Sequence, residues 1–190
     1  MHYLYRITLL TLILASIPAF AQSRPEAILV DEIGASGSRK IQRQRLAGPR
    51  PKSNTSTAYR VERATFDLMN AERTAKGLPL LKWNDQIADL ARLHSLNMAE
   101  HKFFGHRGVD GTMVDDRADM LGIGGWRAIG ENIAYMRGYD NPDQMAVEKW
   151  LNSTSHRRNM LSPTWRESAI GVAVTPDGTY YFTQVFILRN

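Results

Sequence analysis

Apolar positions divide the chain into three stretches. Ile7 to Ile17 is a continuous apolar run, residues 22–58 hold a single large apolar cluster at Ile28-Leu29-Val30, and periodic patterning begins near Tyr59. Val61, Thr65, Leu68, Met69 and Glu72 recur at helical spacing, and Gly77 and Pro79 end that helix. Trp83-Asn84-Asp85 opens a second helix whose stripe is Ile87, Leu90, Ala91, His94, Met98 and His101. A short third helix is expected from Thr112 to Leu121, closed by Gly122. A fourth is expected from Pro142 to Leu151, with Asn141 as its N-cap and Pro142 in the first helical position. The period then shortens. Ala169 to Val174 and Tyr180 to Leu188 are β-rich, and Thr175-Pro176-Asp177-Gly178 between them predicts a hairpin turn. One further strand is expected near Ala128–Tyr135, which makes the fold class α+β.

The first stretch has the form of a secretory signal peptide. Arg6 precedes the apolar run, Pro18 breaks it, and Ala19-Phe20-Ala21 offers a small-x-small cleavage site. The run is shorter than the roughly 18–20 residues a membrane span needs. The domain reading is therefore 1–21 signal peptide, 22–58 disordered basic linker and 59–190 folded domain. The mature protein is expected to have no transmembrane segment and to be exported, to periplasm or medium.

Charge changes the picture less than its total suggests. The net charge is +5. Residues 22–60 carry eight bases against three acids, and residues 61–190 fifteen bases against sixteen acids, so the folded part is close to neutral. No nucleic-acid motif accompanies it, and no nucleic-acid partner is expected. The absence of cysteine excludes disulfides, thiol nucleophiles and Cys-ligated metal centres. No HExxH, Walker A or GxSxG motif occurs.

The remaining chemistry is scattered. His106 follows Phe103-Phe104-Gly105, Glu131 sits in Gly130-Glu131-Asn132-Ile133, and Ser153 and His156 follow Trp150. Two imidazoles and a carboxylate suit a divalent ion such as zinc. A carboxylate beside an imidazole suits, alternatively, a general base for Ser153. Spacing alone does not bring these groups together, and both readings stay open. His94 lies on an apolar stripe and reads as a hydrogen-bonded core histidine. Met69, Met98, Met120, Met145 and Met160 read as core filler, and Tyr180, Tyr181, Phe182 and Phe186 as sheet packing.

Taken in order, these motifs resemble the CAP superfamily, also called the SCP or pathogenesis-related-1 domain, in its bacterial branch. The resemblance runs through Met69-Asn70-Ala71-Glu72-Arg73, Leu81-Lys82-Trp83, Ala91-Arg92-Leu93-His94-Ser95, Phe104-Gly105-His106 and Gly130-Glu131-Asn132-Ile133-Ala134. It continues through Trp150 to Leu161, Gly171-Val172-Ala173 and Tyr181-Phe182-Thr183-Gln184-Val185-Phe186. It implies a three-layer α-β-α sandwich with a central, mostly antiparallel sheet. It also implies an open cleft lined by two histidines and two acids, where some members bind zinc or another divalent cation. His106, Glu131 and His156 match three of these positions, and Ser153 stands where many eukaryotic members carry a Glu. Ser153 removes a charge and should weaken metal affinity. Members are tied to lipid or sterol binding and to the cell envelope, and no enzymatic activity is common to them. The implied function is non-catalytic binding of a divalent metal, a small or lipid-like ligand, or both, at the cell envelope. The alternative is a secreted serine-type hydrolase using Ser153, His156 and Glu131. Arg73 is expected to fix the first helix through fork-shaped donation, and Asn132 and Asn159 to satisfy backbone groups near the cleft.

Overall fold

The computed structural model describes residues 26–28 and 56–189. The elements in chain order are β1 (Glu26–Ile28), α1 (Ser56–Ala75), β2 (Lys82–Trp83), α2 (Asp85–His101), α3 (Val114–Met120) and β3 (Trp126–Arg137). They continue as α4 (Pro142–Asn152), α5 (Thr154–Met160), β4 (Glu167–Val174) and β5 (Thr179–Arg189). The five strands form one sheet in the order β1-β3-β5-β4-β2. All pairings are antiparallel except that of β2 with β4. The expected α-β-α sandwich is the architecture found.

Strand periodicity assigns the layers, because successive side chains point to opposite faces. Ala134 and Met136 of β3, Ile170 and Val172 of β4, and Phe182 and Phe186 of β5 face one side. There they pack with Phe66 and Met69 of α1, Trp150 of α4 and Met160 of α5. Ala169, Val185 and Ile187 face the other side and meet Ile87, Leu90 and Ala91 of α2 with Val114 and Ala118 of α3. Gly171 marks where α2 crosses β4 closely. A Cβ there would stand 2.1 Å from the Arg92 nitrogen and 2.3 Å from the Ala91 carbonyl carbon. Side chains of α1 and α2 bond the β4 backbone directly. Glu62 Oε1 accepts from Val172 N at 3.1 Å, and Ser95 Oγ donates to Gly171 O at 2.9 Å. Glu62 is itself held by Arg92, at 2.7 Å.

Arg73 performs its expected role. Fully buried, it donates from Nε to Pro79 O at 3.0 Å and from Nη1 to Met160 O at 2.6 Å and Ser162 O at 2.9 Å. The end of α1 is thereby tied to the end of α5 without a disulfide.

Several boundaries differ from the sequence reading. The first helix begins at Ser56, and Ala58 is already fully buried, so the domain starts inside the stretch assigned to the linker. Glu26–Ile28, also in that stretch, pair with Tyr135, Met136 and Arg137 as an edge strand. The rest of residues 22–58, and the signal peptide at 1–21, lie outside the described residues. Asn84 caps α2, accepting from Gln86 N at 2.9 Å. Asn141 makes no such bond, and Pro142 alone marks the start of α4. The fourth helix ends at Asn152, one residue past the expected Leu151, and Ser153, with extended backbone (φ −99°, ψ 128°), separates it from an unanticipated α5.

Candidate functional site

The expected site residues converge on the outer edge of β3, in two groups. Glu131 points to the α2–α3 side of the sheet and is 4% exposed. The loop after α2 brings His106 to it, and His106 Nδ1 donates to Glu131 Oε1 at 2.7 Å. Arg117, from α3, donates from Nη2 to Glu131 Oε2 at 2.7 Å. Its Nη1 donates to His106 O at 3.0 Å and Thr112 O at 2.8 Å, so one guanidinium fixes both the carboxylate and the loop carrying His106. His94 completes this group. Its Nε2 donates to Gly105 O at 2.9 Å and stands 3.9 Å from Glu131 Oε1, and its buried Nδ1 has no hydrogen-bonding partner among the described residues.

The electrostatics follow from the geometry. Burial alone would raise the Glu131 pKa. Arg117, followed by His94 and His106, outweighs burial and holds it at about 2. Burial lowers His94 to about 4 against a smaller upward pull from Glu131, so the ring is neutral at neutral pH.

The second group lies on the opposite side of the strand. Ser153 Oγ and His156 Nδ1 are 2.7 Å apart across the α4–α5 break. Asn132 Nδ2 donates to His156 O at 3.2 Å, and Asn159 Nδ2 to Asn132 Oδ1 at 2.9 Å and to Glu131 O at 3.3 Å. Trp150 Nε1 donates to Ile133 O at 3.0 Å. Side-chain donors from α4 and α5 thus take up carbonyls of β3, and the strand edge that separates the two histidines becomes the floor between them.

The structure therefore pairs His106 with Glu131 and His156 with Ser153. It does not gather His106, Glu131 and His156 into one ligand set. Among the described residues no three His, Asp or Glu side chains are grouped to hold a metal ion. Glu131 stands with His106 and Arg117, across β3 from the Ser153–His156 pair with which the hydrolase reading groups it. Sequence reasoning missed Arg117 and the place of His94 beside the carboxylate. Arg117 did leave a signal, since it interrupts the apolar stripe of α3 between Val114 and Ala118.

Comparison with known proteins agrees with this framework. Residues 66–186 match the model of CAP, the cysteine-rich secretory protein family. The chain belongs to this family. It is 38% identical over 128 residues to the uncharacterized membrane protein YlbC of Bacillus subtilis, covering 67% of this chain and 34% of YlbC. It is 34% identical over 143 residues to the uncharacterized protein YkwD of the same organism, covering 72% of this chain and 52% of YkwD. The chain thus spans about a third to a half of these relatives. Among solved structures, an extracellular SCP-domain protein of Bacillus anthracis is 31% identical with a TM-score of 0.58, covering 75% of this chain and 45% of that one. An outer surface protein of Borrelia burgdorferi shares the fold at 19% identity and a TM-score of 0.62, covering 72% of this chain and 96% of that one. The sequence reading of a bacterial-branch CAP domain is upheld. This CAP domain has no cysteine despite the family's name. Among the described residues no helix is long and apolar enough to cross a membrane.

Proposed function

We propose that this CAP domain is an exported, non-catalytic binding protein whose cleft at the β3 edge takes a divalent cation and a small or lipid-like ligand of the cell envelope. The observation that carries the reading is the pair of oriented imidazoles. Glu131 engages His106 through Nδ1, and Ser153 engages His156 through Nδ1. Metal-binding histidines characteristically have their second nitrogen held by such a partner, which sets tautomer and ring orientation. Glu131 suits the orienting role and not the ligating one, since the buried guanidinium of Arg117 would repel a cation beside it. His106 and His156 would hold the ion through Nε2, with water completing the shell. A bound divalent cation would supply Lewis-acid polarisation of a ligand oxygen. Export is supported by the signal-like N-terminus and by relatives described as extracellular, outer-surface or membrane proteins.

The test is zinc titration by calorimetry on the full-length protein. His106→Ala and His156→Ala should each abolish uptake, and Glu131→Gln should weaken it about 10–100-fold, as expected for loss of an orienting partner. Absence of zinc binding by the wild type would overturn the metal part of the reading.

A further inference from the structure

A second concavity lies on the same face of the sheet as Glu131. It is an open groove of about 710 Å³ between the C-terminal end of α2 and the β4–β5 turn. That volume falls within the roughly 300–1,000 Å³ of small-ligand sites. Tyr135 and Tyr181 form its floor and Phe103 and Phe104 one wall. The rings are mutually inclined. Tyr135 meets Tyr181 at 5.1 Å and 72°, and Phe104 meets Tyr135 at 6.0 Å and 53°. Glu131, Ile133 and Tyr135 alternate along one face of β3, which places Tyr135 about 13 Å from Glu131 at roughly 3.3 Å per residue. Phe103 spans the interval, packing edge-on against His94 at 6.2 Å.

The polar groups here are unspent. Neither the Tyr135 nor the Tyr181 hydroxyl has a hydrogen-bonding partner among the described residues, and neither does the Lys102 ammonium. Burial, the adjacent Tyr135 and the Asp177 carboxylate push the Tyr181 phenol upward, so it stays a neutral donor. Lys102 is held at φ +53°, the sole non-glycine residue at positive φ among those described. Asp177 at the opposite rim is already engaged. Its Oδ1 accepts from Thr175 Oγ1 and its Oδ2 from Arg137 at 3.3 Å. Lys102 is therefore the cationic group lining the groove, at the rim opposite the engaged Asp177 carboxylate.

We propose that this groove binds an acidic saccharide, with sugar C–H faces on the aromatic rings, hydroxyls on the two phenols and a carboxylate on Lys102. A pyranose combines an apolar face with a hydroxyl rim, and so satisfies rings and phenols together. An acyl chain laid over the same floor would strip water from both phenols and give them no partner, which opposes its binding. The open shape suits a glycan lying across the two tyrosines.

The site is distinct from the histidine pair, so the test runs in the presence of a chelator and is independent of metal uptake. Full-length protein is titrated, with binding followed by NMR, against a disaccharide of N-acetylhexosamines bearing one carboxylate, against the same disaccharide reduced to the alcohol, and against palmitate. The acidic sugar should shift Tyr135 and Tyr181 resonances saturably and bind at least fivefold more tightly than the alcohol. Lys102→Gly, which also relieves the positive φ, should erase that preference, and Tyr135→Phe and Tyr181→Phe should weaken both sugars severalfold. All three substitutions are compatible with folding, and circular dichroism checks this. No saturable shift at millimolar acidic sugar, a preference that survives Lys102→Gly, or palmitate binding more tightly at the same resonances would each overturn the proposal.

Discussion

The two sides of the β3 edge are built on different principles. On one side Glu131, His106, His94 and Arg117 come from four separate places in the chain, and each is nearly or fully buried. On the other, Ser153 and His156 are three residues apart and in local contact, with His156 buried and Ser153 half-buried, and the contact involves no long-range ion pair. A group assembled over long range and shut away from water must be electrically complete, because an unpaired buried charge is costly. A local pair at a helix break carries no such obligation. The first side should therefore govern stability, and the second should be free to change with little cost to the fold.

Removing Arg117 sets the largest expected difference between them. Its side chain is 4% exposed and that of Glu131 3% exposed, so Arg117→Ala leaves a buried carboxylate without its main counter-charge. A loss of about 3–5 kcal/mol is expected from such cases, read from urea denaturation. Part of it should return in Arg117→Ala/Glu131→Gln, which removes the stranded charge as well. A loss below about 1 kcal/mol would break the contrast, since it would mean that water reaches Glu131.

Acid should act next, and in two stages. His94 has a folded pKa of about 4 against an ordinary 6.5. The unfolded chain binds the extra proton first as pH falls. Stability from the neutral ring is complete above about 6.5 and declines down to about 4, by about 3 kcal/mol. Glu131, depressed to about 2 from 4.5, adds stability that is present above about 4.5 and lost as pH falls toward 2. His94→Gln should remove the first stage and leave the second. Urea melts at pH 7, 5.5 and 4 check this, and an unchanged decline in the variant would assign the first stage elsewhere.

Legibility in the sequence follows the same division. Features carried by neighbours in the chain were readable, including the stripes of α1 and α2, the Asn84 cap, the hairpin turn and the fork of Arg73. His106, Glu131, Ser153 and His156 were readable as chemistry because their local motifs resemble those of CAP domains. Their partnering was not, because it depends on which face of β3 each element reaches. Assigning Glu131 to His156 required the two to share a side, and the alternation of Glu131 and Asn132 puts them on opposite ones. Arg117 belongs to none of the motifs read from the sequence, although its position between Val114 and Ala118 on the apolar stripe of α3 marks it as buried. The end of α4 was readable, but the new helix after Ser153 was not, because α5 is short and carries no apolar stripe of its own.

Asn159 is the link between the two sides, bonding Asn132 Oδ1 and Glu131 O. Asn159→Ala should cost about 1–2 kcal/mol, between the two extremes, since it leaves two acceptors unfilled and no charge unpaired. It should also loosen His156, whose carbonyl is held by Asn132. Amide hydrogen exchange should then rise in α5 more than in α3. Equal change in both helices would mean that Asn159 supports the edge as a whole and does not act through α5.

Ser153→Ala should have the smallest effect on the fold and the most selective one on the site. The bond to His156 Nδ1 and the 3.4 Å contact to Ser155 Oγ are lost at a half-buried position, together worth about 1 kcal/mol. The imidazole of His156 loses the partner that orients it at Nδ1, so its ring nitrogen shifts should report an altered tautomer balance while those of His106 stay fixed. The reverse selectivity belongs to Glu131→Gln, which should move His106 and leave His156 in place. If Ser153→Ala moved both rings, the two sides would share a partner beyond Asn159, and the cleft would be one coupled unit instead of a rigid wall facing an adaptable one.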